Sequence, residues 1–577
     1  MGSMSSLFIG VSGLQSSQNA LNTTAHNLTN VDTKGYSRQQ VLLKDTTYQS
    51  LKVGHVTLNQ VGVGVSIDLV RQVRDSFLDK AYRLETGRQS FYEAQYTANS
   101  EIENIMGELQ GVAFQDSMEE LWNTTQELVK EPNNIVQRTT FVQTAVSFIE
   151  RAQLVAKQLE DYQVNLNTEI KTAVDKINDI GHQINTLNEK IMFHESAGVE
   201  NANDLRDTRN LLLDELGKYV KISYAENADG KVTINIEGVQ FVTEDSVNEM
   251  GTAKIDENSE MIKPTWPQFD QDVYKVNQSY SSEDNSDVGY LKGLLVARGT
   301  KKADYTDVPI RDNFATEEEY DAAVFLYNTT INPSTIASTQ ASFDNLIHGI
   351  VTKINDILCP NKEFTYTDIN GVERTITILD EEKAGVGIGE GNEVPGTELF
   401  SRKSVERYTE VTLQLEDGST ITVQQYNPED PNDTATQYTL SQLQVNLDVL
   451  NNVSLLPLSQ KDAPDEYNSK ICDKLVSCWN ENFSTLGPNM LTENTFMEYY
   501  TALIGDIGTR GNTFEVISTN QESMAASIDN QRNSIAGVSS DEELTKLIKY
   551  QHAYNASARY VNVVSEMLEH IITSFFR

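Results

Sequence analysis

The longest regularity in the chain is an apolar side chain every three or four residues, through Val142, Ala145, Ile149, Ala152, Ala156, Leu159, Leu166, Ile170, Ala173, Ile177, Ile180, Ile184, Leu187 and Ile191. Alternating steps of three and four keep side chains on one stripe of a helix. Only Gln163 interrupts the stripe. It predicts a single rod of about 75 Å at ~1.5 Å per residue, which needs partner helices to cover it. Two remote segments repeat the spacing and can serve: Phe343, Ile347, Ile350, Ile354 and Ile357, and Phe514, Ile517, Met524, Ile528 and Ile535. A bundle assembled from such distant segments forces the stretches between them to be insertions. Those read as β: Lys218 to Val242 alternates around Asn227-Ala228-Asp229-Gly230, Thr365 to Leu379 around Asn370-Gly371, and Thr409 to Tyr426 around Asp417-Gly418. The predicted fold class is multidomain α+β, a long α-helical coiled-coil bundle formed by N-terminal, middle and C-terminal segments, with inserted β-rich domains.

The two ends are written differently from the middle. Met4 to Val31 contains no Asp, Glu, Lys or Arg although 22% of the chain is charged; by chance it would hold about six. Leu7, Leu14, Leu21 and Leu28 recur every seventh residue in it. Such a surface suits close packing against several helices, where amides and hydroxyls pair without stranding a charge. After Gly35 the pattern turns extended from Val41 to Val70, with Val61, Val63, Val65 and Ile67 alternating, and a helix resumes near Arg71. At the other end Ser540, Asp541, Glu542 and Glu543 read as a capping box. Leu544, Leu547, Gln551, Tyr554, Ala558, Val561, Ser565, Leu568, Ile572 and Phe575 then hold a heptad phase.

Charge narrows the function classes. With 45 Lys plus Arg against 84 Asp plus Glu the net charge is −39, which argues against nucleic acid as a partner. No apolar run approaches the ~18 residues of a membrane span, and no signal peptide with a small-residue cleavage site is visible. Cys359, Cys472 and Cys478 lack CxxC spacing and support neither a disulfide framework nor a zinc site. His194-Glu195 has no second His four positions after the first and reads as a solvated helix end. Gly385-Val386-Gly387-Ile388-Gly389 lacks a following helix and reads as loop. The acidic clusters Glu283-Asp284-Asn285-Ser286-Asp287 and Glu429-Asp430-Pro431-Asn432-Asp433 lack EF-hand spacing and read as solvated loops. No catalytic, cofactor-binding or metal-binding residue is nominated, and no enzymatic activity is expected.

The segment Ala25-His26-Asn27-Leu28-Thr29-Asn30-Val31-Asp32-Thr33-Lys34-Gly35-Tyr36 resembles the Asn-Leu-x-Asn-Val-x-Thr-Pro-Gly-Tyr signature of the flagellar rod, hook and hook-associated axial proteins. Lys34 stands where that signature has Pro, which leaves the turn less stiff but keeps Gly35. Asn203-Asp204-Leu205-Arg206-Asp207 through Leu216, Gly289 to Leu295, Ile347 to Leu358 and the terminal helix resemble the members at the hook–filament junction. The β insertions resemble nothing placed.

The resemblance implies a structural subunit of the bacterial flagellum, extracellular, and exported unfolded through the flagellar type III apparatus without a cleaved signal peptide. It also implies assembly as a ring of about eleven copies from a monomer in solution. Implied partners are the hook protein, a second junction protein (hook-associated protein 3) and an export chaperone at the C-terminal helix. Residues 1–3 read as a vector remnant. Residues 4–105 are expected to form the terminal helix region and extended connector, pairing with 536–577 as an inner coiled-coil domain. The helical bundle is expected over 106–217, continued by 286–358 and 470–535, with β insertions over 218–285 and 359–469. The assembly interface is assigned to Leu7, Leu14, Leu21, Leu28, Asn27, Asn30, Gly35, Tyr36, Leu544, Leu547, Tyr554, Val561, Leu568 and Ile572, and the chaperone contact to Tyr550, Tyr554 and Tyr560. The alternative is an adhesin-like binding surface on the β insertions.

Overall fold

The computed structural model describes residues 2–46, 48–53, 57–107, 114–198, 200–257, 259–275, 280–389 and 391–575. Met1 and the side chains of Val61 and Phe575 lie outside the described residues. The helices are α1 (Gly2–Thr29), α2 (Ser76–Met106), α3 (Phe114–Lys130), α4 (Ile135–Glu195), α5 (Asn203–Tyr219) and α6 (Tyr290–Arg298). They continue as α7 (Glu317–Thr330), α8 (Thr335–Leu358), α9 (Leu447–Asn451), α10 (Ser469–Ser477), α11 (Phe496–Ala536) and α12 (Ser540–Phe575).

The strands fall between the helices in three groups. The connector is two antiparallel pairs, β1 (Gln39–Asp45) with β4 (Val65–Gln72) and β2 (Tyr48–Val53) with β3 (Thr57–Gly62). After α5 come the sheets β5-β6-β7 (Ile222–Glu226, Val232–Ile236, Val239–Val242) and β10-β9-β8, from β8 (Gly251–Lys254), β9 (Ile262–Trp266) and β10 (Gln271–Asp272). Ten more strands lie between α8 and α10: β11 (Asn361–Thr367), β12 (Glu373–Leu379), β13 (Val386–Gly389), β14 (Asn392–Pro395), β15 (Phe400–Arg402), β16 (Tyr408–Gln414), β17 (Thr420–Tyr426), β18 (Leu443–Val445), β19 (Ser459–Gln460) and β20 (Ala463–Tyr467). They form sheets of order β11-β12-β17-β16 and β14-β13-β19-β20 and the pair β15-β18. The fold is thus multidomain α+β, a helical bundle carrying small antiparallel sheets.

The rod is α4, roughly 90 Å long at ~1.5 Å per residue. Its predicted stripe is buried throughout except at Ala156, where the neighbouring Val155 takes the core position. Gln163 is fully buried for a reason the stripe did not carry. Its Nε2 donates to the carbonyls of Arg298 at 2.7 Å and Lys301 at 3.1 Å, groups left over where α6 ends. Phe114 of α3 meets Phe148 of α4, Phe343 of α8 and Tyr500 of α11 with ring centroids 5.4, 4.9 and 5.5 Å away. Three stretches distant in sequence, the consecutive pair α3 and α4, α8, and α11, therefore share one core.

Two sequence expectations shift. The apolar face of α11 that seals this core is Phe496, Tyr499, Tyr500, Leu503 and Ile507, while Phe514 packs separately with Phe91 and Tyr92. Farther along, where α11 runs along α2, Met524 and Ile535 are exposed and Ala525 is the buried residue. The helix expected near Arg71 begins at Ser76. Arg71 and Gln72 still pair with Gln40 and Gln39, and Asp75 caps α2 by accepting from the N–H groups of Phe77 and Leu78. That helix, read from sequence with the terminal region 4–105, packs in the bundle against α11, α5 and α6.

The insertions are fastened to the rods by asparagines. Asn355 of α8, fully buried, donates Nδ2–H to the Phe400 carbonyl at 2.7 Å and accepts on Oδ1 from the N–H groups of Phe400 at 3.1 Å and Leu399 at 3.2 Å. Asn188 of α4 holds both backbone groups of Val232 (2.8 and 3.1 Å), and Asn178 both of Met250 (2.9 and 2.9 Å). We expect Asn355→Ala to destabilise the protein by about 3 kcal/mol, since it strands buried backbone groups. The urea midpoint checks this, as does faster amide exchange in β15 and β18 with α3 and α4 unaffected.

Candidate assembly interface at the chain ends

α1 and α12 pair antiparallel. A side chain on Gly10 would start 2.6 Å from Val561 and one on Gly13 2.8 Å from Ser557, while Asn27 lies against Glu543. The seam on α1 is small and polar: Gly10, Ser16, Ala20, Thr24 and Asn27 are buried. Leu7, Leu14, Leu21 and Leu28 are only half-buried along its shoulder. The leucine stripe therefore does not make the seam; close backbone approach does, and a leucine cannot fit where the axes are nearest. On α12 the seam runs through Glu543, Leu547, Tyr550, Tyr554, Ser557, Val561, Val564 and Leu568, with Glu543 and Val564 buried and the rest half-buried. Leu544 and Ile572 lie off it, 46% and 55% exposed. Tyr560 is exposed beside Gly10, whereas Tyr550 and Tyr554 are half-covered by α1.

The signature residues build the joint beneath this pair. Asn27 is buried, and each position of its amide is used. Nδ2 donates to the Gln39 carbonyl at 2.9 Å and to Glu543 Oε2 at 3.0 Å. Oδ1 accepts from Gln39 N–H at 2.9 Å and from the Tyr36 hydroxyl at 2.8 Å. With its one proton given to Asn27, Tyr36 Oη accepts from Nδ1–H of His26 at 3.0 Å. Asn30 closes the turn, donating to the His26 carbonyl and accepting from Thr33. Gly35 reverses the chain with φ +79° and sits so close to α5 that a Cβ would lie 2.5 Å from Leu211; only glycine meets both demands. Burial, and then the charges of Asp204, Asp207 and Glu543, push the Tyr36 hydroxyl well above the usual phenol range, so it stays a donor.

Sequence reasoning missed the charged half of the joint. Glu543 was read as the end of a capping box at Ser540. The cap is instead Ser539, whose hydroxyl faces Glu542 N–H at 3.5 Å and whose carbonyl accepts from Glu543 N–H. This leaves the Glu543 carboxylate free to turn inward to Asn27 and Lys546. Below it Arg532 of α11 bridges Asp79 of α2 at 2.9 Å and Asp214 of α5 at 2.8 Å. Arg83 pairs with Asp214 at 2.6 Å, and Arg74 with Asp79 at 2.9 Å and Asp207 at 3.6 Å. Arg532 also stacks 4.3 Å over Tyr82. Apart from Arg74 and Asp79, these partners come from segments remote in sequence, and no local spacing announces them.

The acidic motifs set aside from sequence are solvated over most of their length, with Glu283, Asp284, Asp430, Asp433 and His194 exposed, but one carboxylate of each is drawn into the structure. Asp287 is fully buried, paired with Arg88 at 3.1 Å and accepting from Ser282 and Tyr92. Glu429 accepts from Tyr305, from His348 and from the Tyr438 N–H. Glu195 is held by Arg206 at 2.7 Å. Each carboxylate found a partner from another segment, which a local reading of polarity cannot supply. Among the described residues no group of three or more His, Cys, Asp or Glu is placed to hold a metal ion, and no helix is long and apolar enough to cross a membrane.

Comparison with known proteins matches three family descriptions to this layout. They are the flagellar hook-associated protein FlgK helical domain over residues 99–359, the flagella basal body rod protein over 7–36, and the flagellar basal body rod FlgEFG protein C-terminal over 529–574. Among curated relatives, flagellar hook-associated protein 1 of Bacillus subtilis (strain 168) is 24% identical over 604 residues, covering 99% of this chain and 98% of its own length. The protein of the same name from Escherichia coli (strain K12) is 23% identical over 578 residues, covering 97% and 98%. A solved structure of the flagellar hook junction protein FlgK from Burkholderia pseudomallei aligns over 79% of this chain and 100% of its own, at 12% identity and a TM-score of 0.49.

Two outcomes test the joint. Gly10→Leu is expected to part α1 from α12, detected as a longer distance between spin labels placed on the two helices, with the melting of the bundle unchanged. Asp207 is held by Ser37 N–H and Arg74, yet burial dominates and pushes its carboxyl up to about 6. An acid whose folded value is raised binds its proton more tightly when folded, so its contribution is full below the unfolded value of ~3.9 and is lost as pH rises through about 6. Asp207→Asn should therefore gain stability relative to the native chain between pH 4 and 7, measured as the difference in urea midpoints.

Proposed function

The chain belongs to the flagellar hook-associated protein 1 family, and we propose on that footing that it is a structural subunit joining the hook to the filament, anchored through its terminal helices. Its place is the extracellular axial structure of the flagellum, in contact with hook components. The finer reading is a ring of about eleven copies standing between the hook protein and a second junction protein, hook-associated protein 3. The subunit reaches that place unfolded through the type III apparatus, with an export chaperone on the C-terminal helix at Tyr550, Tyr554 and Tyr560.

The observation that carries this reading is the free end of the α1–α12 pair. Because the helices run antiparallel, Met4 and Phe8 stand at the level of Val563 and Met567. Met4, Phe8, Val563, Met567 and Ile571 are 63, 66, 49, 60 and 45% exposed. Full burial of each would contribute about 1.5–3 kcal/mol, and a solitary subunit leaves that unused. Nearer the joint the outer face of α1 is Gln15, Gln18, Asn22 and Ala25, exposed and uncharged. Two copies can approach along such a surface without desolvating a charge. Leu544 and Ile572, off the intramolecular seam, fit the same role between subunits.

Deleting Met4 to Val31 is expected to abolish filament attachment while the remaining bundle melts as before. In the isolated subunit, amide exchange should be fast over α1 and α12 beside a protected α4. Slow exchange at both ends would mean that their seams are already satisfied, and the reading would fall.

A further inference from the structure

Away from the terminal helices, one apolar patch is assembled from two segments distant in sequence. α7 is held to the body by Tyr327, its only buried residue, and leaves Phe325 71% exposed. Beside it the turn that precedes α11 presents Met490 and Leu491, 47% and 99% exposed. The two segments are pinned by a reciprocal amide pair: Asn489 Nδ2 donates to Asn328 Oδ1 at 2.6 Å and Asn328 Nδ2 to Asn489 Oδ1 at 3.3 Å. Phe325 lies one turn before Asn328 on the same helix face, and Met490 and Leu491 follow Asn489 directly. Single exposed hydrophobics are ordinary; three gathered around a built fastening are not.

The surroundings specify the sign of what would cover it. Glu318 and Asp321 precede Phe325 by seven and four residues and so share its stripe. Between Arg311 and Lys353, and again between Lys474 and Arg510, the chain has no Lys or Arg. The cations at three of those four limits are taken: Arg311 by Glu317 at 2.9 Å, Lys353 by Glu481 at 2.9 Å and Arg510 by Asp506 at 2.7 Å. The patch is apolar, and the charges that share the Phe325 stripe are acidic, the combination by which a surface's charge selects its partner.

We propose that Phe325, Met490 and Leu491 form a docking site for a different protein, one presenting an apolar pocket rimmed by lysine and arginine. A second copy of this chain, with 45 Lys plus Arg against 84 Asp plus Glu, is poor in the cations such a rim needs. The test places photoreactive p-benzoylphenylalanine at Leu491 of the full chain in flagellated cells, with the same group at Ile369, an exposed hairpin-tip residue, as control. After irradiation the cross-linked peptide is sequenced. The expected result is an adduct at position 491 only, to another protein, through a peptide containing Lys or Arg. Its yield should fall roughly fivefold when Glu318→Lys and Asp321→Lys are added; neither side chain caps α7 or forms an ion pair among those found. No adduct beyond the control, an adduct only to a second copy, or a yield indifferent to the charge reversal would each overturn the proposal.

Discussion

A carboxamide side chain offers a donor and an acceptor side by side, as a backbone peptide does, and the rest of this structure hangs on that equivalence. Where a strand of the connector or the insertions begins against a helix, its first backbone groups need partners that the helix backbone, already paired within itself, cannot give. Asn27 provides them for Gln39, Asn178 for Met250, Asn188 for Val232 and Asn355 for Leu399 and Phe400. Each acts as a one-residue strand presented by a helix. Insertions of different sequence are thereby docked on one scaffold at fixed registers, without either side needing a sheet edge. The signature around Asn27 is one instance of a device the chain uses at each of these strand starts.

At the chain ends the same amide is joined to an ion network, and the two do different work. The asparagine fixes where the strand begins. The Arg532, Arg74 and Arg83 guanidiniums, shared among Asp79, Asp207 and Asp214, fix how α11, α2 and α5 are inclined to one another. Buried ion pairs contribute little net stability against their desolvation. They do penalise every arrangement that leaves one charge alone, so they hold an angle more than they hold a fold.

How much of this the sequence carried depends on whether the signal was local. The stripe from Val142 to Ile191 and the turns at Asn370-Gly371 and Asp417-Gly418 were legible because periodicity and turn chemistry act within a few residues. Asn27, Gly35 and Tyr36 were legible as a motif, though their joint role with Gln39 and Leu211 was not. The seam of α1 was hidden by its own leucines: they made the stronger pattern, while close approach selects residues that leave almost no hydrophobic signature. Glu543, Asp287 and Glu429 read as solvated or capping because polarity is visible locally and a partner contributed by another segment is not.

The contact between Asn27 and Glu543 spans 516 residues. Closing such a loop in an open chain costs about 5.5 kcal/mol by the (3/2)RT ln n rule, more than one seam of small side chains returns. Once the bundle has formed, Arg38 N–H meets the Ala536 carbonyl at 2.7 Å, and the loop left to close is only ~18 residues, about 2.5 kcal/mol. The terminal pair is thus kinetically subordinate, the last contact to form and the first to open. A chain with a misfolded interior would hold its two ends apart, and the seam between α1 and α12 would not exist. Chain topology therefore makes the helix pair a readout of whether everything between its halves has folded.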